Sequence, residues 1–231
     1  LHTLAGWSCV DSGYHDNARA HFARALELAV VGGNGYQIGS ALHHMGIHMR
    51  DDEAYNDDLK ACQLGLIKLT EFPDSPEINE ITSWLHAESA LAFAAMGKHK
   101  EADREVKTAH EHQMANPFDD ADMDYRTSCV YRKLGRVGPA EAIAASSVRK
   151  WAAEGHARRD SVLSDIALAT IHTQTGDTSG ARLARTAISN VASLRSGRAR
   201  AALTPLVEAL QARSDSTSRD LAHHARKMLS T

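Results

Sequence analysis

Histidine is the residue best placed to do chemistry in this chain, and its sharpest arrangement is His43-His44-x3-His48. Residues four apart share a helix face, so His44 and His48 would set two imidazoles side by side, as a zinc site requires. The metalloprotease pattern also needs a glutamate directly after the first histidine, and here His44 is followed by Met45-Gly46-Ile47. Asp51 and Asp52 lie one turn further on, but the motif itself supplies no third ligand, and no metal ligand is assigned. His110/His112 and His223/His224 read as exposed helix residues. There is no Gly-x-Ser-x-Gly elbow, phosphate-cradling glycine loop or dinucleotide fingerprint, so no catalytic residue and no cofactor are assigned. Cys129 near Arg132 and Lys133 is either a thiol of lowered pKa or a small packed side chain. Asp119, Asp120, Asp122 and Asp124 complement the positive end of a helix. Arg182, Arg185, Arg195, Arg198 and Arg200 form the one basic stretch, read as a solvated face rather than a DNA contact.

Those side chains need elements to hold them, and the elements follow from a repeat. Glycine is followed five residues later by alanine at Gly13/Ala18, Gly97/Ala102, Gly135/Ala140 and Gly176/Ala181. The glycines are separated by 84, 38 and 41 residues, and the long gap holds a degenerate copy between Asp51 and Asp58. A fixed period of this length with amphipathic helical sequence on both sides marks a stack of helical hairpins. Twelve helices are predicted, over about 1–12, 15–31, 36–50, 54–70, 76–96, 99–114, 118–134, 138–153, 157–174, 178–193, 196–213 and 219–229. Glycines close them, Ser75-Pro76 starts the fifth with a capping hydroxyl and a proline at the first helical position, and Asn116-Pro117 precedes the seventh. Phe22, between Ala18 and Ala25, is expected in the core. The fold class is therefore all-α: a single solenoid domain over 1–231, with repeats near 1–33, 35–72, 76–116, 118–154 and 157–194 and capping helices over 196–229.

The formal charge of −3 argues against nucleic-acid binding by the segment as a whole. Three cysteines without paired spacing suit a reducing, cytoplasmic setting, and no apolar run is long enough to span a bilayer. The chain opens on Leu1 inside a helical pattern, so it is expected to be part of a longer protein.

The Leu-x-x-Gly, then Gly-x4-Ala-x3-aromatic-x2-Ala-Leu pattern resembles the tetratricopeptide repeat. The first unit carries it as Gly6, Gly13, Ala18, Phe22, Ala25 and Leu26. Later units keep Gly97, Ala102, Val106 and Ala109; Gly135, Ala140, Ala144 and Val148; and Gly176, Ala181 and Ile188. The second keeps Gly46 but puts Asp58 in the alanine slot, which puts its tight packing in question. The resemblance implies a right-handed superhelix whose first helices line a concave groove. Its inner stripe would be Trp7, Val10 and Asp11; His43, Ile47 and Arg50; Trp84, Ala87 and Leu91; Tyr125, Cys129, Arg132 and Lys133; and Ile166, Thr170 and Thr173. Tryptophan and tyrosine there offer rigid contact area, and Arg50, Arg132 and Lys133 an anion site.

Almost the whole chain resembles the repeat region of actinobacterial helix-turn-helix transcriptional regulators of the Xre type. The resemblance rests on Leu4-Ala5-Gly6-Trp7-Ser8, Asp11-Ser12-Gly13, Ala18-Arg19-Ala20-His21-Phe22, and the end from Gly176-Asp177 through Ala187 to Leu194-Arg195-Ser196-Gly197-Arg198. It implies a sensory or interaction module that takes a peptide, small molecule or protein in its groove and meets DNA only through a domain ahead of the repeats. A constitutive scaffold or homodimerisation module stands second. An enzyme built on the helical fold, its pocket closed by loops 31–36 and 71–76, stands third.

Overall fold

The computed structural model describes residues 1–111, 117–153 and 159–229, with the side chains of residues 117 and 118 left aside. The expected end of the sixth helix at 112–114, His112, Asn116, Gly155 and residues 157–158 lie outside that set. The described residues are helical, without strands, and neighbouring helices pack in pairs. None of these helices is long and apolar enough to cross a membrane.

The chain divides into two compact units, 1–116 and 117–231. The first holds α1 (His2–Asp11), α2 (His15–Val31), α3 (Gly35–Asp51), α4 (Tyr55–Leu69), α5 (Pro76–Ala95) and α6 (His99–Glu111). Each odd helix packs on the even helix after it, α2 packs on α3, α4 on α5, and α3 also lies along α5. The second unit holds α7 (Pro117–Lys133), α8 (Val137–Ala153), α9 (Arg159–Thr175), α10 (Gly180–Ala192), α11 (Gly197–Ala201), α12 (Thr204–Gln211) and α13 (Ser216–Leu229). There α9 is central, touching α7, α8, α10 and α12, with Leu168 and Ile171 packed on Ala140 and Ala144 of α8 and Val162, Leu163 and Ile166 in the core shared with α10 and α12.

The five hairpin bends share one backbone device. Gly13, Gly97, Gly135 and Gly176 have φ between 70° and 78°, and in the second hairpin Glu53 takes the same left-handed conformation at 61°. The residue after each donates its N–H to the carbonyl five back: Tyr14 to Cys9, Ala54 to Met49, Lys98 to Phe93, Arg136 to Tyr131 and Asp177 to His172, at 2.8–3.0 Å. That bond satisfies carbonyls the helix end leaves open. The degenerate copy has thus kept the turn without its glycine.

The repeat's small residues do what their spacing predicts. Ala18, Ala102 and Ala140 are fully buried, and Phe22 is enclosed in the core. The last hairpin is shifted by one residue: Ala181 is only partly buried, and the close approach is made by Gly180, where a Cβ would stand 3.2 Å from the backbone of His172. The cap of α5 forms as expected, Ser75 Oγ accepting from the Ile78 N–H at 3.3 Å. The single helix expected over 196–213 is two, α11 and α12. Pro205 stands in the first turn of α12, and a continuous helix would drive its ring into the carbonyl four residues back.

Candidate functional site

The second hairpin has a polar interior. At an offset of forty residues its positions match the first: Gly46 for Gly6, Arg50 for Val10, Asp58 for Ala18 and Cys62 for Phe22. Asp58 enters the alanine slot because Gly46, opposite it on α3, has no side chain; a Cβ there would lie 2.6 Å from Asp58 Oδ1. The helices stay close, and the space a methyl would fill holds a carboxylate.

Arg50 from α3 lies on the carboxylate of Glu88 from α5, and its guanidinium stands 3.8 Å from Asp58 Oδ2 on α4. His43 Nε2 is 3.4 Å from Glu88 Oε1, and the Cys62 thiol donates to Asp58 Oδ1 at 3.5 Å. Asp58 and Glu88 have no solvent exposure. Burial pushes the Asp58 carboxyl up to about 6, against the pull of Arg50. Burial and the neighbouring Asp58 push the Cys62 thiol up as well, so it remains a donor rather than a nucleophile. The charge of Arg50 is met inside the protein by two carboxylates, which changes what this residue can offer an outside anion.

Above that layer runs a row of rings across α1, α3 and α5. Trp7 Nε1 donates to His44 Nδ1 at 3.2 Å, with the rings edge-on at 5.4 Å between centroids. His44 neighbours His43 at 5.1 Å, and His43 neighbours Trp84 at 6.0 Å. Because His44 Nδ1 accepts, its own proton sits on Nε2. Trp7 and His44 are half-buried; His43 and Trp84 are buried. The row therefore has one accessible end, at Trp7 and His44, and one end anchored on Glu88 through His43.

Of the residues expected to line the groove, Trp7, His43, Arg50 and Trp84 belong to this connected set. Asp11 is half-buried on α1, and Ile47 and Leu91 are packed in the core. Tyr125, Cys129 and Arg132 are half-buried and Lys133 exposed on α7, in the second unit. Tyr125 packs on the core around α9. Glu88, the hub of the buried layer, was missed by the sequence reading. Its signal was a lone acid between Leu85 and Phe93 of α5.

A second cluster lies at the α1–α2 bend. His48 on α3 stacks on His15, the first residue of α2, with ring centroids 5.4 Å apart and planes at 2°. Asp52 Oδ2 stands 3.9 Å from His48 Nε2 and accepts from Arg19 at 3.3 Å. Arg19 also pairs with Asp16. His15 and Arg19 line a cleft of about 310 Å³ together with Gly13, Tyr14, Asp16 and Asn17. Phe22 stands behind His48, its ring 6.2 Å away. Burial holds the His48 imidazole below its ordinary pKa, against the pull of Asp52 and with the help of His15 and Arg19. The i,i+4 neighbour that His48 approaches is thus Asp52, at 3.9 Å and without a hydrogen bond, since the His44 ring faces Trp7.

Comparison with protein-family models gives no match, and comparison with curated proteins gives none.

Proposed function

We propose that this chain is a tetratricopeptide-like binding module, a right-handed superhelix of five hairpins that takes a peptide or small molecule on its first helices. The ring row from Trp7 to Trp84 carries this reading. It crosses three successive first helices, is fixed from below by the Glu88–Arg50 pair, and opens to solvent at an indole and an imidazole. Rigid aromatic area held in place by buried polar groups is what recognition uses, because little conformational freedom is lost on contact. The ionisable groups beneath are paired with one another, which supports binding rather than catalysis.

The likeness to Xre-type regulators supports placing the module in a transcriptional regulator of the cytoplasm that contacts DNA only through a helix-turn-helix domain. A ligand bridging α1, α3 and α5 would then favour one curvature of the stack and shift the population of spacings between attached domains. Apolar side chains exposed on α2 and α4, Val31 and Ile67 foremost, favour a pairing surface between two copies as the second reading.

Panning a displayed library of random peptides against the chain tests the first reading. Binders are expected whose affinity falls at least ~10-fold in Trp7→Ala, the loss typical of a truncated aromatic anchor. Binders indifferent to Trp7→Ala, with the variant's melting curve showing it folded, would move the ligand off the ring row.

A further inference from the structure

We propose that His15, His48 and Asp52 form a site for one zinc-class divalent ion, with a fourth position open to the cleft at the α1–α2 bend. One donor atom from each of the three lies within 4.8 Å of the others. In a tetrahedron of normal zinc bonds such atoms stand ~3.3 Å apart, so closure needs only a small movement. His15 can supply it, being an exposed residue at the very start of α2. His48 cannot move freely, and that is the stronger observation. Its ring is 2% exposed, yet neither nitrogen has a hydrogen-bond partner among the described residues. A buried polar group in that state is costly unless something binds it. A metal ion bonded to Nε2 removes that cost at one nitrogen.

The donor set selects the metal class. Two imidazoles and one carboxylate suit zinc and its first-row neighbours; calcium and magnesium take oxygen donors. Three protein ligands leave the fourth position to water, and the cleft lined by His15 and Arg19 is where that water would enter. Phe22 walls the inner side and keeps the local dielectric low. The carbonyl end of α3 favours a cation beside Asp52, while the amide end of α2 opposes one beside His15, so the ligands decide the balance. In the ion-free protein Arg19 supplies the positive charge next to Asp52. With its side chain 52% exposed, it can swing aside when a metal takes that oxygen.

The test is titration of the full chain with cobalt(II), read by visible absorption, followed by displacement with zinc(II) against a competing chelator. One equivalent of four-coordinate cobalt, displaced by one of zinc, is expected. His15→Ala and Asp52→Asn, both at exposed positions, should each weaken zinc binding at least ~10-fold, a loss the removal of even an outer partner can cause. Replacing His223 and His224 together, both exposed on α13, should leave it unchanged. Zinc should also raise the melting temperature of the parent chain and not of His15→Ala. Equal zinc affinity in His15→Ala, or loss of the bound ion on replacing His223 and His224, would overturn the site.

Discussion

The first two hairpins share a backbone and differ in what fills it. In α1/α2 the crossing is lined by Val10, Ala18 and Phe22, all buried, with the Phe22 ring lying where a Cβ on Gly6 would otherwise stand. In α3/α4 the matching positions are Arg50, Asp58 and Cys62. The glycine on the facing helix makes room in both, for an aromatic ring in one and for a carboxylate in the other. The apolar version is complete within its own pair of helices. The polar version is not: Arg50 lies on Glu88 from α5 as well as facing Asp58 of its own hairpin, so the second hairpin is tied electrostatically to the third. Repetition therefore specifies the close approach of helices, and departures from it specify where chemistry and coupling reside.

The largest effects should distinguish these two interiors. Phe22→Ala is expected to cost ~3–5 kcal/mol in a denaturant melt, from lost burial and the cavity left. Glu88→Ala should cost up to ~3–5 kcal/mol for a different reason: it removes the carboxylate on which the Arg50 guanidinium lies and leaves that charge to Asp58 alone, 3.8 Å away. Replacing the whole set, Arg50→Met with Glu88→Leu and Asp58→Ala, separates the causes. Ion-pair replacement by packed apolar groups is often neutral or stabilising, so the triple variant should recover most of the loss. A triple variant no more stable than Glu88→Ala would mean that the layer is held chiefly by shape.

A smaller effect follows from Asp58 and has a defined sign. Its folded-state pKa of about 6 lies above its ordinary 3.8. Between those values the folded protein holds a proton that the unfolded chain has released, so stability from this group falls as pH rises from about 4 to about 6 and is level above. The amplitude is roughly 2–3 kcal/mol at most. Glu105, Asp177 and Asp215, whose pKa values are lowered, change stability in the opposite sense, and Asp165 in the same sense. Subtracting the pH profile of Asp58→Asn isolates the Asp58 contribution. A difference that is flat across that window would place the Asp58 carboxyl in contact with water. In the first hairpin the same slot holds Ala18, which has no group to titrate.

Much of the scaffold was readable because the repeat constrains it locally. Glycine at a bend, a small residue five on and an apolar face each leave a one-dimensional trace, and the Ser75 cap with Pro76 does too. The site was readable only in part. Trp7, His43, Arg50 and Trp84 come together in one connected set, but their relations run through His44, Glu88 and Asp58, and contacts between residues thirty or more apart leave no spacing to read. His44 and His48 illustrate the limit: their i,i+4 spacing suggested partnership, yet Trp7 takes one ring and His15 with Asp52 surround the other. The break near Leu203 and the one-residue shift at Gly180 were hidden for a related reason. A single Pro205 or a single small residue has meaning only once the neighbouring helix is in place.

The smallest effect concerns the bends, where the two hairpins differ by one residue. Gly13 and Glu53 both hold a left-handed conformation, at φ 78° and 61°. A side chain at such a φ crowds the following carbonyl at a cost of about 1–2 kcal/mol, whereas glycine adopts it freely. Glycine in turn loses more backbone freedom on folding, by roughly 0.5–1 kcal/mol. Glu53→Gly should therefore raise stability by about 1 kcal/mol or somewhat less, measured as a shift of the urea midpoint at constant slope. Gly13→Ala should lower it, and because a Cβ at Gly13 would meet no atom within 4 Å, the loss there would be backbone strain alone. If Glu53→Gly is instead destabilising, the glutamate side chain contributes an interaction that outweighs its strain, and the second hairpin departs from the first at its bend as well as in its core.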